Sequence, residues 1–234
     1  YYLAAYYHYL ERVDKEIGLI LNALEDRSDS EDTLIIFMAD HGDGMAAHRM
    51  VTKQVSFQEE ITNVPFIVAG PGIKGENKCL EEPLVSLLDL LPTLCDYVDI
   101  DYPDKLWGKS LVPWLQGKTE GSPHQYVATE WHTEYRHTIS PGRMIRTPNF
   151  KYTLYLEDDG EELYDMQNDP GETMTLINDP GYEDVLDEHR KLFQKHLNET
   201  IDLFFHLKWE ADSRWRNHKP GYQYHTGSCA LTSE

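Results

Sequence analysis

A continuous apolar run at residues 33–38, TLIIFM, is the feature that most constrains how this chain can fold. Its uninterrupted, β-branched composition is typical of a parallel strand that is covered on both faces. Before it, apolar residues recur at helical spacing from Leu3 to Leu24, which predicts an amphipathic helix of about seven turns. A second apolar run follows at residues 64–69. A helix and buried strands in this order predict an α/β fold.

The chain changes character near residue 122. The segment 108–124 is rich in Gly, Ser and Pro, as loops are, so we expect a boundary there. Beyond it, short strand-like runs follow one another closely, as antiparallel neighbours do, and residues 182–198 predict a closing amphipathic helix. We therefore divide the chain into residues 1–122 and residues 123–234.

The charge balance excludes one large class of partners. The 234 residues include 41 acidic and only 21 basic side chains, for a formal charge of −20. Such a surface repels polyanions, so we expect no nucleic-acid binding, and an anionic substrate must be held by local positive groups. The sequence contains no apolar stretch of about 18 residues, so we expect no membrane span. The 3 cysteines have neither zinc nor redox spacing.

Ionisable residues follow the first apolar run directly. Asp40 and His41 stand where a strand of an open α/β sheet ends, which is where ligand sites form in such sheets. A carboxylate beside an imidazole supplies two ligands for a divalent cation, and Gly42 allows a sharp turn. Lys53 adds a compact cation suited to a tetrahedral oxyanion. Taken singly, each of these residues, and His48 with them, is also consistent with a solvent-facing turn.

Residues 37–72, FMADHGDGMAAHRMVTKQVSFQEEITNVPFIVAGPG, resemble the second signature region of the type I, formylglycine-dependent sulfatases of the alkaline phosphatase superfamily. The similarity continues in VSLLDLLPTLCD, RMIRTPNFKYTLY and EELYDMQNDPGE, and extends to about residue 200. The order and spacing of these pieces make the resemblance specific. The matching positions in the first piece are Asp40, His41, Gly42, His48, Lys53, Phe57, Glu60, Val64 and Pro65.

The resemblance implies an alkaline phosphatase-like sandwich, with residues 1–122 as the carboxyl-terminal part of the main sheet and its flanking helices. Residues 123–234 are then a small subdomain with an antiparallel sheet, a closing helix and a tail. The resemblance also implies one divalent cation, Ca²⁺ in the first place and Mg²⁺ as the alternative. The implied roles are metal binding for Asp40 and His41 and catalysis for Lys53 and His48. We expect substrate binding by Arg49, which departs from the family pattern but supplies positive charge at short range, and by His132, Arg136 and His137. For the last three residues, an exposed loop without a role is the alternative interpretation.

The chain also departs from the family pattern. The family makes its nucleophile, formylglycine, from Cys or Ser in a C/S-x-P-S/A-R motif, and none of Cys79, Cys95 and Cys229 fits that motif. His41 stands where Asn is common, which weakens the case for calcium because calcium prefers oxygen ligands. The first residues, YYLAAYYHYL, lack an initiator Met. We therefore expect a carboxyl-terminal portion of a longer protein, inactive alone, with formylglycine in the upstream half.

The expected function of the intact protein is hydrolysis of sulfate esters, with a sulfated small molecule or glycan as the partner. One alternative is a phosphatase or phosphonate monoester hydrolase of the same superfamily, which two bound metal ions would favour. Another is a catalytically inactive protein that binds sulfated glycans. Analogy with the family places the protein in the periplasm or outside the cell, or in the lysosome of an animal cell, and leaves its oligomeric state open.

Overall fold

The secondary structure alternates between helices and strands in the first half and is dominated by a sheet in the second. The computed structural model describes residues 1–53, 56–74, 84–131, 141–156, 160–205, 222–225 and 228–231. Helix α1, Tyr2–Glu25, confirms the predicted long helix. The elements that follow are β1 (Ile35–Met38), α2 (Glu59–Thr62), β2 (Phe66–Ala69), α3 (Leu90–Tyr97), α4 (Val112–Leu115), β3 (Val127–Trp131), β4 (Gly142–Arg146), β5 (Phe150–Tyr155), β6 (Glu161–Asp165), α5 (Glu183–Thr200), β7 (Tyr222–His225) and β8 (Ser228–Leu231).

Strands β1 and β2 pair antiparallel, with Ile35 opposite Ala69 and Met38 opposite Phe66. The prediction of parallel strands is therefore wrong. A continuous apolar run favours a strand, but it does not indicate the direction of the neighbouring strand. The predicted coverage on both faces is not seen in this chain either, since no residue of β1 is buried. The described part of the connection, within residues 39–65, holds a 3₁₀ turn and the one-turn helix α2. A parallel pair is usually connected by a long crossover helix, and this connection brings the chain back in the opposite direction instead.

Strands β3 to β6 form an antiparallel sheet in chain order, which confirms the predicted antiparallel arrangement. Helix α5 confirms the predicted closing helix and packs on one face of this sheet. Its apolar side chains recur at helical spacing and so form one stripe that faces the strands. The buried residues of this core are Ile145, Tyr152, Leu156, Leu163, Leu186, Phe193, Leu197 and Phe204.

The opposite face of the sheet contacts the segment that carries Phe57. Phe57 is buried against Met144 and Tyr155, and Trp131 packs beside them. Gly142 permits this close approach, because a Cβ atom there would lie only 2.5 Å from Phe57 Cε2. Since Phe57 lies a few residues after the loop that follows β1, this contact ties the carboxyl-terminal sheet to the first half of the chain.

A buried carboxylate holds together the region between β2 and β3. Asp89 has no exposed surface, and it accepts hydrogen bonds from the backbone N–H of Lys109 at 2.7 Å and from His124 Nε2 at 2.9 Å. A carboxylate without such partners would be costly to bury. The His124 contact crosses the expected boundary near residue 122, and the division of the chain at that point stays a prediction.

Candidate active site

The loop after β1 brings three of the predicted site residues together. Asp40 and His41 follow the strand, and Lys53 Nζ lies 2.9 Å from His41 Nε2. The same nitrogen of His41 lies 3.6 Å from Asp40 Oδ2. The backbone N–H of His41 donates to Asp40 Oδ1 at 2.9 Å. An ammonium, an imidazole and a carboxylate are thus grouped at the end of the strand.

The hydrogen-bond partners of His41 assign its tautomer. Nδ1 lies 2.8 Å from the carbonyl oxygen of Gly42, and because a carbonyl only accepts, Nδ1 carries the hydrogen. Nε2 is then an acceptor and receives a hydrogen from the Lys53 ammonium. In this tautomer the electron pair of Nε2 lies on the side of Lys53. The Asp40 side chain is 87% exposed, so its carboxylate is open to solvent.

Two glycines allow the loop to fold tightly behind these groups. The backbone N–H of Gly42 donates to the carbonyl oxygen of Ile61 at 2.8 Å, and a Cβ atom on Gly42 would lie 1.7 Å from the carbonyl oxygen of Glu60. A Cβ atom on Gly44 would lie 2.4 Å from the Cβ of Met50. Any side chain at either position would therefore force the backbone apart, which explains why both residues are glycine.

The predicted residues His48 and Arg49 lie on a turn with unusual backbone angles. Met45, Ala46, His48 and Arg49 have φ values of 47°, 69°, 47° and 62°. Residues other than glycine rarely adopt this region, and such strain is kept where surrounding contacts impose it. One of those contacts is the hydrogen bond from the Ala46 N–H to the Met50 carbonyl oxygen at 2.7 Å. The turn therefore fixes the directions in which His48 and Arg49 leave the backbone.

His48 lies within electrostatic range of Asp169, in the turn that follows β6. Burial alone raises the pKa of Asp169, but the backbone N–H groups of Met174 and Thr173 and the nearby His48 outweigh it, so the pKa is lowered. The structure thus joins Asp40, His41 and Lys53 directly and places His48 near the turn that follows β6.

The predicted substrate-binding residues His132, Arg136 and His137 lie outside the described residues. The residue before them, Trp131, ends strand β3 and packs beside the cluster that contains Phe57. Phe57 lies four positions after Lys53 in the chain, so the end of β3 packs on the segment that follows the Lys53 loop.

Asp40 and His41 carry donor atoms of the kind that a divalent cation binds. Their Oδ2 and Nε2 atoms are 3.6 Å apart, a separation open to two ligands that each lie about 2.0–2.5 Å from one ion. Lys53 donates to the same Nε2, so an ion bound there would replace that hydrogen bond. Within the ranges that the structure describes, no group of three or more His, Cys, Asp or Glu side chains could hold a metal. The two residues fit such an ion in kind and would supply only part of its coordination.

The sequence patterns missed one residue at this loop, Tyr2. Its hydroxyl, which has one hydrogen to donate, lies between two acceptors, Asp43 Oδ1 at 3.3 Å and the carbonyl oxygen of Val51, so the first turn of α1 lies beside both ends of the His48 turn. Desolvation and the Asp43 carboxylate raise the pKa of Tyr2. Helical spacing predicts which helix residues face the protein, but it does not identify a hydroxyl whose partners lie more than 40 residues away.

Comparison with known proteins places these residues in a family context. A family model described as N-sulphoglucosamine sulphohydrolase, C-terminal, matches residues 46–199. The Delta 4,5-hexuronate-2-O-sulfatase of Bacteroides thetaiotaomicron is 50% identical over 231 residues, which are 98% of this chain and 48% of that protein. A solved 2-O GAG sulfatase is 48% identical with a TM-score of 0.83, over 94% of this chain and 48% of its own.

A more distant likeness is to the phosphonate monoester hydrolase of Agrobacterium radiobacter, which is 27% identical with a TM-score of 0.68 over 78% of this chain and 38% of that one. Together these likenesses confirm the predicted resemblance and the alkaline phosphatase-like fold class. This chain spans about half the length of the relatives that it matches, 48% of the first of them.

Proposed function

Because this chain belongs to the sulfatase family, we propose that the intact protein hydrolyses sulfate esters of carbohydrates. The observation that carries the proposal is the grouping of Lys53, His41 and Asp40, with the Lys53 ammonium 2.9 Å from His41 Nε2. A protein surface with a formal charge of −20 repels anions at long range, so a sulfate needs a local cation at the place where it binds. Lys53 supplies that cation.

In the proposed reaction, Lys53 binds a sulfate oxygen and stabilises the negative charge that grows as the S–O bond breaks. His48, on its fixed turn, is assigned to the same developing oxyanion. Asp40 and His41 are the proposed ligands of a divalent cation, Ca²⁺ or, as the alternative, Mg²⁺. When present, that cation polarises the sulfate oxygens, and formylglycine, which we assign to the region that this chain does not span, supplies the nucleophile.

The proposed substrate is the 2-O-sulfate of an unsaturated hexuronate at the end of a glycan. Support comes from the 50% identity to the Delta 4,5-hexuronate-2-O-sulfatase, which extends over 98% of this chain. Such a substrate also carries a carboxylate, which requires a second local cation. Arg49, exposed on the His48 turn, and the predicted residues His132, Arg136 and His137 are the proposed substrate-binding groups.

The direct test uses the intact protein and two disaccharides that differ only in where the sulfate is attached. One carries a 2-O-sulfate on the unsaturated uronate, and the other carries its single sulfate on O6 of the amino sugar. We expect inorganic sulfate to be released from the first and not from the second. Release from the second alone would overturn the proposed substrate, and release from neither would overturn the proposed activity on this class of compound.

The alternative of a phosphonate monoester hydrolase rests on the likeness to the Agrobacterium radiobacter enzyme. Phenyl phosphonate monoester turnover and metal content by elemental analysis distinguish the two. One ion for each intact protein and sulfate release favour the sulfatase. Two ions and faster turnover of the phosphonate ester would favour the alternative.

The proposed location is the periplasm or the outside of the cell, or the lysosome in an animal, by analogy with the family. None of the helices in the described ranges combines the length and the apolar character needed to cross a membrane. Fractionation of the native organism followed by detection of the protein in each fraction tests the proposal.

A further inference from the structure

A lysine is buried in the carboxyl-terminal sheet. Lys151, on β5, has only 1% of its side chain exposed. Its ammonium lies 2.6 Å from Glu59 Oε1 and 2.9 Å from Glu172 Oε1, and it donates to the carbonyl oxygen of Phe57 at 2.8 Å. The three N–H groups of the ammonium are thus matched by three acceptors. A buried ammonium is tolerated only with such partners, so this cluster has a defined geometry.

A second cation, Arg146, lies beside the cluster. Arg146 Nε lies 3.7 Å from Glu59 Oε1, so Lys151 and Arg146 face Glu59 and Glu172. Burial raises the pKa of Glu172, whereas for Glu59 the cations Lys151 and Arg146 outweigh burial and the pKa is lowered. Of the two carboxylates, Glu59 therefore ionises more readily than Glu172. Glu59 is also the one that lies in residues 57–61, the segment next to the site.

Glu172 also binds the backbone of this segment. Its Oε2 accepts the backbone N–H of Glu59 at 2.6 Å, which is the first N–H of α2. Gln58, at the N-cap position of α2, makes no side-chain cap hydrogen bond, so the helix end is capped from another part of the chain. Lys151 and Glu172 together thus fix the backbone from Phe57 to Glu59.

The segment fixed in this way supports the proposed site. Two residues further on, the carbonyl oxygen of Ile61 accepts the backbone N–H of Gly42 at 2.8 Å. Gly42 is also packed closely against Glu60, since a Cβ atom on Gly42 would lie 1.7 Å from the Glu60 carbonyl oxygen. Its carbonyl oxygen in turn binds His41 Nδ1 and sets the tautomer of the ring. A continuous series of contacts therefore runs from Lys151 to His41 Nε2, the atom that faces Lys53.

We propose that Lys151, acting with Glu59 and Glu172, is a positioning residue that fixes Gly42 and thereby holds His41 in the orientation needed at the site. The expected effect on catalysis rests on the proposed function. The claim that Lys151 fixes the position of Gly42 does not depend on it. Lys151 does not act on substrate: it acts through the backbone of residues 57–61. Through Lys151, the carboxyl-terminal sheet thus contributes to the site by way of the backbone of residues 57–61.

The test uses three variants of the intact protein. Lys151→Met keeps the length of the side chain and removes the ammonium, and Lys151→Arg is the conservative variant. The matched control is His189→Leu, which removes a buried polar side chain of the same subdomain that bonds Thr147 and Val185 and does not contact residues 57–61. If Lys151→Met does not fold, Glu172→Gln takes its place, since it removes one charge and keeps the pair of Lys151 with Glu59.

Two measurements decide the inference. Amide hydrogen exchange of the peptide that contains Gly42 should become about tenfold faster in Lys151→Met, remain near wild type in Lys151→Arg, and be unchanged in His189→Leu. The kcat for sulfate release should fall by about tenfold in Lys151→Met with KM nearly constant, and Lys151→Arg should restore most of it. Unchanged exchange at Gly42 in Lys151→Met, or an equal increase in His189→Leu, would overturn the inference. Absence of sulfate release by the wild-type protein would overturn the proposed function only, because the exchange measurement still decides the positioning role.

Discussion

The two halves of the molecule differ in how far their apolar side chains are buried. In the sheet of β3 to β6 with α5, Ile145 and Leu163 have no exposed surface. In the first half, α1 has no buried residue, although it is 24 residues long. Phe37 and Ile67 lie opposite each other on β1 and β2, and they are 42% and 57% exposed. The carboxyl-terminal sheet therefore has a core of its own, whereas the elements that carry the site do not.

The carboxyl-terminal sheet therefore accounts for much of the stability of the chain, whereas the loop after β1 carries the groups proposed to act on substrate. The sheet is stabilised by close packing, while the loop after β1 holds its polar groups through hydrogen bonds and two glycines. The Delta 4,5-hexuronate-2-O-sulfatase is about twice as long as this chain, which covers 48% of it. We therefore expect the open apolar faces of α1 and of the β1–β2 pair to pack against the region that this chain does not span.

The largest expected effect on stability comes from truncating the core. Leu163→Ala should lower the free energy of unfolding by about 3 kcal/mol, because the Leu163 side chain has no exposed surface and the removed atoms leave a cavity. Ile67→Ala should cost less than about 0.5 kcal/mol in this chain. Urea denaturation followed by circular dichroism measures both. Equal losses would remove the distinction between the halves.

The next effect concerns activity without stability. Lys53→Ala in the intact protein should lower kcat/KM by about 100-fold, or about 2.7 kcal/mol, because it removes the cation that stabilises the developing charge. Its melting temperature should stay near that of the wild type. Lys195→Ala is the control, since Lys195 is 54% exposed and pairs with Glu199 only at 3.8 Å. A similar loss in the control would show that the effect is not specific to the site.

A smaller loss is expected where the site loop meets its supporting segment. Gly42→Ala should lower the free energy of unfolding by about 2 kcal/mol, because the new Cβ atom would lie 1.7 Å from the Glu60 carbonyl oxygen. The matched change Gly18→Ala lies in α1 with no neighbouring atom within 4 Å. It should stabilise the helix by up to about 1 kcal/mol. Thermal unfolding of both variants provides the comparison, and a neutral Gly42→Ala would contradict the close packing.

The smallest effect is a dependence of stability on pH in the Lys151 cluster. The pKa of Glu59 is lowered in the folded protein, so its stabilising contribution is present above its ordinary value of 4.5 and is lost as the pH falls through the lowered pKa. Glu172 has a raised pKa, so it opposes folding above that pKa, and this penalty disappears as the pH falls. Glu59→Gln should reduce the loss of stability in acid, by less than about 1 kcal/mol, and Glu172→Gln should not. Denaturant titrations between pH 3 and pH 7 test this, and identical pH profiles for the two variants would contradict the assignment.

Local patterns predicted much of this fold. The helical period of α1 and the short strand-like runs of β3 to β5 depend on residues close in sequence, and both predictions are confirmed. The direction of β2 relative to β1 was predicted wrongly, because apolar composition carries no information on the direction of a neighbouring strand. Placement of Asp40 and His41 at a strand end followed from the run before them. The association of Lys53 with them needed the family resemblance, since Lys53 lies 12 positions after His41 in the chain.

The supporting residues could not be predicted in this way. A lysine such as Lys151 in a strand-like run usually faces solvent, and its partner Phe57 lies 94 residues earlier in the chain. The resemblance drew attention to Glu60, whereas the structure pairs the neighbouring Glu59 with the lysine. Contacts of this kind are set by how the sheet packs on the loop segment, and neither hydrophobic period nor motif spacing encodes that packing.

A double-mutant cycle on Lys53 and His41 tests the central claim most directly. In the intact protein, kcat/KM for release of the 2-O-sulfate is measured for Lys53→Ala, His41→Ala and the double variant. If the two side chains act at one site, the double variant should be less impaired than the product of the single losses, with a coupling of at least about 1 kcal/mol. Strictly multiplicative losses would mean that the two residues act independently, and the proposed site would be wrong.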